Sequence, residues 1–163
     1  MTQGKYAIVD PEDYERLNAH KWHASGHGCK FYAERVAFVG EDKKRVYIKM
    51  HRQIVKVEDG KFVDHINHNG LDNRKANLRP ATFAENNRNR RKVKINNFRS
   101  KYKGIYWEKK QKQWGVRIMT NRTSKYIGSY KDEIEAAKAY DKAAKKYHGE
   151  FASLNFPGLA KKS

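Results

Sequence analysis

One stretch of the chain gathers side chains suited to chemistry at a phosphate. It runs Asp64-His65-Ile66-Asn67-His68-Asn69-Gly70-Leu71-Asp72-Asn73-Arg74, then Asn77-Leu78-Arg79-Pro80, then Asn86. A neutral imidazole titrates near neutrality and can take a proton from water, which makes His65 a candidate general base. A carboxylate oxygen of Asp64 and an amide oxygen of Asn86 are hard donors that can share a divalent ion with solvent and a phosphate oxygen. Asn77, through its side-chain oxygen, can fix the tautomer of the imidazole. The same Asn and Asp residues are ordinary turn formers, so spacing alone leaves catalysis and loop building both open.

The remaining histidines carry weaker signals. His51, in Met50-His51-Arg52, is expected to pack or to hydrogen-bond, and His68 either to hold the loop or to stand in solvent. His20, His23, His27 and Cys29 have spacings compatible with zinc. They flank Trp22 and a Gly-rich turn with no second ligand pair, so a turn without metal is the expected reading.

These residues need elements to hold them. Lys5–Val9 alternates like a strand, and Asp10-Pro11-Glu12-Asp13 reads as the start of a short helix reaching about Leu17. Phe31–Val39 and Arg45–Met50 predict two strands joined by Gly40-Glu41-Asp42-Lys43, and His51–Val57 a brief helix. Phe62-Val63-Asp64 predicts a short strand that ends at the candidate base. Thr82 and Glu85 form a capping box for a helix carrying Asn86, Asn87 and Arg90. Further on, Tyr102–Trp107, Trp114–Met119 and Lys125–Tyr130 predict three strands. Asp132 with Glu135 opens a helix on which Ala136, Ala137, Tyr140, Ala144 and Tyr147 recur at helical spacing, and Gly149 ends it.

Charge indicates the partner. The 163 residues hold 36 Lys+Arg against 18 Asp+Glu, a net of +18, and between 86 and 131 the acid is Glu108 alone. Such a stripe, interleaved with Tyr, Trp and Asn, suits a polyanion whose counterions it releases. Residues 88–101 would repel themselves in water, so they are expected to act as a linker ordered on DNA. The length allows one to two domains. The sequence has no eighteen-residue apolar run, no apolar leader after Met1, and one cysteine. A soluble protein of the cytoplasm is therefore expected, with no membrane partner.

The ordered set Asp64-His65, Asn77, Asn86 resembles the HNH endonucleases and is similar to their free-standing homing branch, known from phages. The resemblance spans about residues 45–92. It implies a ββα-metal core with His65 as general base on the first strand, Asp64 and Asn86 as metal ligands, and Asn77 as the middle structural asparagine. The expected cofactor is magnesium, with manganese able to substitute, and the expected compartment is the host cytoplasm if the protein is phage-encoded.

A second resemblance lies in Tyr102-Lys103-Gly104-Ile105, Ile127-Gly128-Ser129-Tyr130, Glu135-Ala136-Ala137-Lys138-Ala139-Tyr140-Asp141 and Leu154-Asn155-Phe156-Pro157. These are similar to the APETALA2-type domain of plant ethylene-response factors, and cover about 100–157. The resemblance implies a three-stranded antiparallel sheet packed on one helix that binds duplex DNA. Lys103 stands where the plant pattern has a DNA-contacting Arg, Tyr106 replaces a contact Arg, Tyr126 replaces a contact Trp, and Arg117 stands where the plants have Glu. The plant target sequence is therefore not expected to carry over. Alternation puts Trp114, Val116 and Ile118 on the core face and Gly115, Arg117 and Met119 outside, unless a bulge between Gln113 and Thr120 swaps them.

The chain is thus expected to be α+β in four parts. Residues 1–50 form a β-rich region, 51–92 the nuclease core, 93–100 a basic linker and 101–158 the DNA-binding domain. The DNA contacts are expected from Arg88, Arg90, Arg91, Lys92, Lys94, Lys103, Tyr106, Arg117, Lys125 and Tyr126. The expected activity is site-specific hydrolysis of duplex DNA by a monomer, a dimer being open. The alternative is a DNA-binding regulator whose nuclease core is scaffold.

Overall fold

The alternating residues of 31–39 and 45–50 build two strands of a three-stranded antiparallel sheet, ordered β1 (His23–His27), β2 (Lys30–Val39), β3 (Lys44–Lys49). The structure is a computed structural model and describes residues 1–2, 4–28, 30–92 and 100–159. β1 falls in the stretch read as a turn, because His-Ala-Ser-Gly-His lacks the apolar alternation by which strands are recognised. α1 (Pro11–Asn18) and α2 (Met50–Ile54) lie near their expected positions. Lys5–Val9 does not form a strand. It makes one bridge to the later loop, Ile8 N donating to Leu71 O at 2.8 Å and Asn73 N to Ile8 O at 2.7 Å. The Asp10 carboxylate likewise leaves its own helix and accepts Lys75 N at 2.7 Å.

Leu17, Ala33 and Met50 form a small core on which Val9, Trp22, Ile54 and Leu71 pack. Residues 1–50 therefore fold onto the loop that carries the candidate site. β4 (Phe62–His65) pairs antiparallel with β5 (Leu78–Ala81), placing Asp64 opposite Arg79 and His65 opposite Leu78. Pro80 obscures β5 in the sequence, yet a two-stranded sheet has outer edges where a missing N–H costs no ladder bond. α3 (Phe83–Asn89) follows at once. Its capping box forms as expected, with Thr82 N donating to Glu85 Oε2 at 2.8 Å and Glu85 N to Thr82 Oγ1 at 3.3 Å.

Contacts group Met1–Asn86 as one unit and Asn87–Ser163 as the other. The second unit contains β6 (Ile105–Glu108), β7 (Gln113–Thr120) and β8 (Thr123–Tyr130), antiparallel in that order, and α4 (Glu133–His148). Asp132 caps α4 by accepting Glu135 N at 2.8 Å. Ile105, Val116, Ile118, Ala136, Ala137, Tyr140 and Ala144 form the core, the alanines letting the helix lie close to the sheet. Gly104 is required here. Its φ is +76°, and a Cβ would lie 2.1 Å from the Tyr140 ring. A bulge is present, since Val116 opposes Gly128 and Arg117 opposes Tyr126. The extra residue, Ile127, belongs to β8, so the alternation along β7 is intact and Arg117 stays outside. Among the described residues no helix is long and apolar enough to cross a membrane.

Candidate functional site

His65 ends β4, so its side chain points to the opposite face from that of Asp64. Both are 6% exposed. Asp64 Oδ2 accepts Arg79 Nε at 3.0 Å and Nη2 at 2.9 Å, a buried ion pair made possible by the β4–β5 register. On the other face, His65 Nε2 lies 3.2 Å from Asn73 Oδ1, and Asn73 Nδ2 donates to Leu71 O at 3.3 Å. That second bond orients the amide, so its oxygen faces the imidazole. With the amide so assigned, the matching tautomer carries its proton on Nε2. Burial holds the His65 pKa below the usual imidazole range, while the Asn73 bond and the Asp64 and Asp72 carboxylates pull it upward. His65 is thus a neutral imidazole at neutral pH, the form a general base requires.

The expectation that Asn77 orients the imidazole is corrected. Its side-chain oxygen accepts Asn67 N at 3.0 Å and its amide donates to Asp72 O at 2.7 Å. Asn77 staples the loop, and Asn73, not singled out in the sequence, faces the His65 ring. The rest of the loop is equally self-bonded. Asp72 accepts Arg74 through both oxygens at 2.8 and 2.7 Å and Asn67 Nδ2 at 2.8 Å, and the Arg74 bonds hold its carboxyl below its ordinary pKa. His68, at φ +66°, takes the tight turn, its N–H donating to His65 O at 3.0 Å.

Asn86 is half-buried on α3, one turn beyond Phe83, whose ring lies 6.0 Å from that of Phe62 at the start of β4. Asp64 and Asn86 provide hard oxygen donors, a set that fits magnesium or manganese better than zinc. Among the described residues no three His, Cys, Asp or Glu side chains gather as a metal group. His20, His23 and His27 therefore form none, and His23 instead meets Glu34 at 3.5 Å. Cys29 lies outside the described residues.

The second unit sorts the expected DNA contacts. Tyr106, Arg117 and Tyr126 share the outer face of the sheet through the pairs Tyr106–Gly115 and Arg117–Tyr126. The Arg117 guanidinium stacks 4.9 Å from the Tyr106 ring centroid, and Tyr126 is 54% exposed. Lys125 pairs with Ile118, and so stands on the helix side of the sheet, its Nζ 4.7 Å from the Tyr147 ring. Lys103, expected to contact DNA, is bonded within the protein. Its ammonium donates to Arg88 O and Arg90 O, each at 2.6 Å, and burial lowers its pKa to about 8. Lys92 reciprocates, donating to Ser100 O at 2.8 Å and Tyr102 O at 3.0 Å. Both lysines fasten backbone rather than face the outer surface of the sheet. Arg88 is half-buried, Arg90 and Arg91 are exposed, and Lys94 lies outside the described residues.

Residues 56–88 match the HNH endonuclease family model, a span that holds Asp64, His65, Asn77 and Asn86. The chain is 26% identical over 168 residues to an uncharacterized HNH endonuclease of Acanthamoeba polyphaga mimivirus, covering 94% of this chain and 76% of that one. It is 41% identical over 61 residues to an AP2/ERF and B3 domain-containing protein of Oryza sativa subsp. japonica. A third relative, an AP2-like ethylene-responsive transcription factor of Arabidopsis thaliana, is 33% identical over 78 residues. The chain spans 16% and 18% of the length of those two plant proteins. No solved structure matches. The chain thus joins an HNH-like segment to AP2/ERF-like sequence in an α+β architecture.

Proposed function

We propose that the protein is a site-specific DNA endonuclease of the homing type, acting as a monomer on duplex DNA. The observation that supports this reading is the buried His65 ring, whose Nε2 lies 3.2 Å from Asn73 Oδ1 and whose pKa burial holds below the usual imidazole range. His65 Nδ1 takes a proton from the water that attacks the phosphorus. The Asn73 oxygen then supports the Nε2–H of the imidazolium that forms. The scissile P–O3′ bond breaks and the departing oxygen takes a proton from solvent, leaving a 5′ phosphate and a 3′ hydroxyl. Asp64 and Asn86 would hold a magnesium ion, which when bound supplies positive charge beside the phosphate. Arg79 holds the Asp64 carboxylate in place through two hydrogen bonds to Oδ2.

The second unit would supply affinity and register. Arg117, stacked on Tyr106, presents a five-donor fork suited to a guanine edge, whereas surface lysines such as Lys109 and Lys110 offer mobile charges to phosphates. The test is end-mapped cleavage of a randomised duplex library with magnesium present. The expected result is cuts clustered at a fixed distance from one motif, with 5′ phosphate ends. Tight, specific binding with no cleavage in magnesium or manganese would instead make the protein a regulator built on a nuclease scaffold.

A further inference from the structure

His51 is 6% exposed, and its Nδ1 is buried with no hydrogen-bond partner among the described residues. Its surroundings show what the ring does. The His51 and His65 rings meet edge to face, with centroids 4.9 Å apart at 87°. Tyr32 of β2 closes the triangle, 5.8 Å from His51 and 5.8 Å from His65. Gly70 lets Tyr32 in, because a Cβ there would stand 2.5 Å from the Tyr32 ring.

We propose that His51, backed by Tyr32, is a positioning residue that fixes the ring plane of His65, and that the N-terminal sheet is thereby part of the catalytic machinery. The inference rests on reading His65 as the general base. Asn73 acts on one ring nitrogen, while the two aromatic contacts act on the plane of the ring, so Nδ1 meets the attacking water at one angle. Burial lowers the His51 pKa to about 3, with the neighbouring Lys49 and Arg52 charges acting the same way. His51 thus remains neutral and apolar in character beside the base.

The test uses the full chain with a cognate duplex and magnesium, comparing His51→Ala, His51→Phe and His65→Ala for kcat, KM, duplex affinity and melting temperature. His51→Ala should lower kcat roughly 10- to 100-fold, as expected for a reacting group displaced by about an ångström, with KM and affinity within about twofold. His51→Phe, which restores a ring edge without a polar atom, should recover kcat to within about threefold. Adding His51→Ala to His65→Ala should cost nothing further, since no base remains to be positioned. If His51→Ala keeps wild-type kcat, or if His51→Phe fails to rescue while melting normally, the positioning role is overturned. An active His65→Ala would instead overturn the base assignment itself.

Discussion

Asp64 shows how one residue can serve chemistry and stability together. Its carboxylate is a candidate metal ligand, yet it is also half of a buried ion pair with Arg79. Removing one partner of such a pair leaves the other charge uncompensated, at about 3–5 kcal/mol. Asp64→Ala is therefore expected to lower the urea midpoint markedly as well as abolish cleavage. Asn86→Ala should leave that midpoint in place and raise the magnesium concentration needed for half-maximal rate. A shared loss of stability in both variants would show that Asn86 is structural. His51 provides a pH signature. Its folded pKa lies below its unfolded value of about 6.5, so the stability it contributes is complete above that pH. It is lost as pH falls from there toward about 3. Wild-type stability should drop across that window, and His51→Phe should remove up to one proton's worth of the slope, ~1.4 kcal/mol per pH unit. Equal slopes in urea titrations would mean that the ring is protonated in the fold.

At the scale of elements, the sheet of the second unit was largely legible. Alternation along Trp114–Met119 assigns its two faces correctly, with Val116 and Ile118 fully buried, Arg117 exposed and Met119 60% exposed. Capping boxes at Thr82 and Asp132 mark both helix starts, because they are short-range chemistry. β5 was not legible, since Arg79 has meaning only opposite Asp64, a pairing fifteen residues apart in sequence. Asn73 was hidden for the same reason, as loop register brings it to His65. The outer face makes a clear prediction. Arg117→Ala should relax base preference at one or two positions, worth about 1–3 kcal/mol of discrimination. Lys109→Ala should weaken all duplexes alike and reduce the salt slope by nearly one. Binding selections at two salt concentrations separate the two, and a uniform loss for Arg117→Ala would make it a phosphate contact.

For the whole molecule, the division at 86/87 changes what counts as linker. Residues 88–92 read as a self-repelling run, yet their carbonyls and Lys92 are bonded to Ser100, Tyr102 and Lys103. Distance in the chain hid this, because a lysine seeking carbonyls looks in sequence like one seeking phosphate. A fragment of residues 87–163 should therefore melt several degrees above one of residues 101–163, by calorimetry without DNA. Equal melting would mean that the paired lysines contribute nothing to the fold. The central claim is that an HNH-like unit cuts DNA through His65 while an AP2/ERF-like unit holds it. The most direct measurement is a cleavage time course for wild type and His65→Ala on one cognate duplex with magnesium, beside a gel-shift titration of each. The account predicts a rate loss of roughly 10²–10⁴-fold with duplex affinity within about twofold. Near-wild-type cleavage by His65→Ala would contradict it.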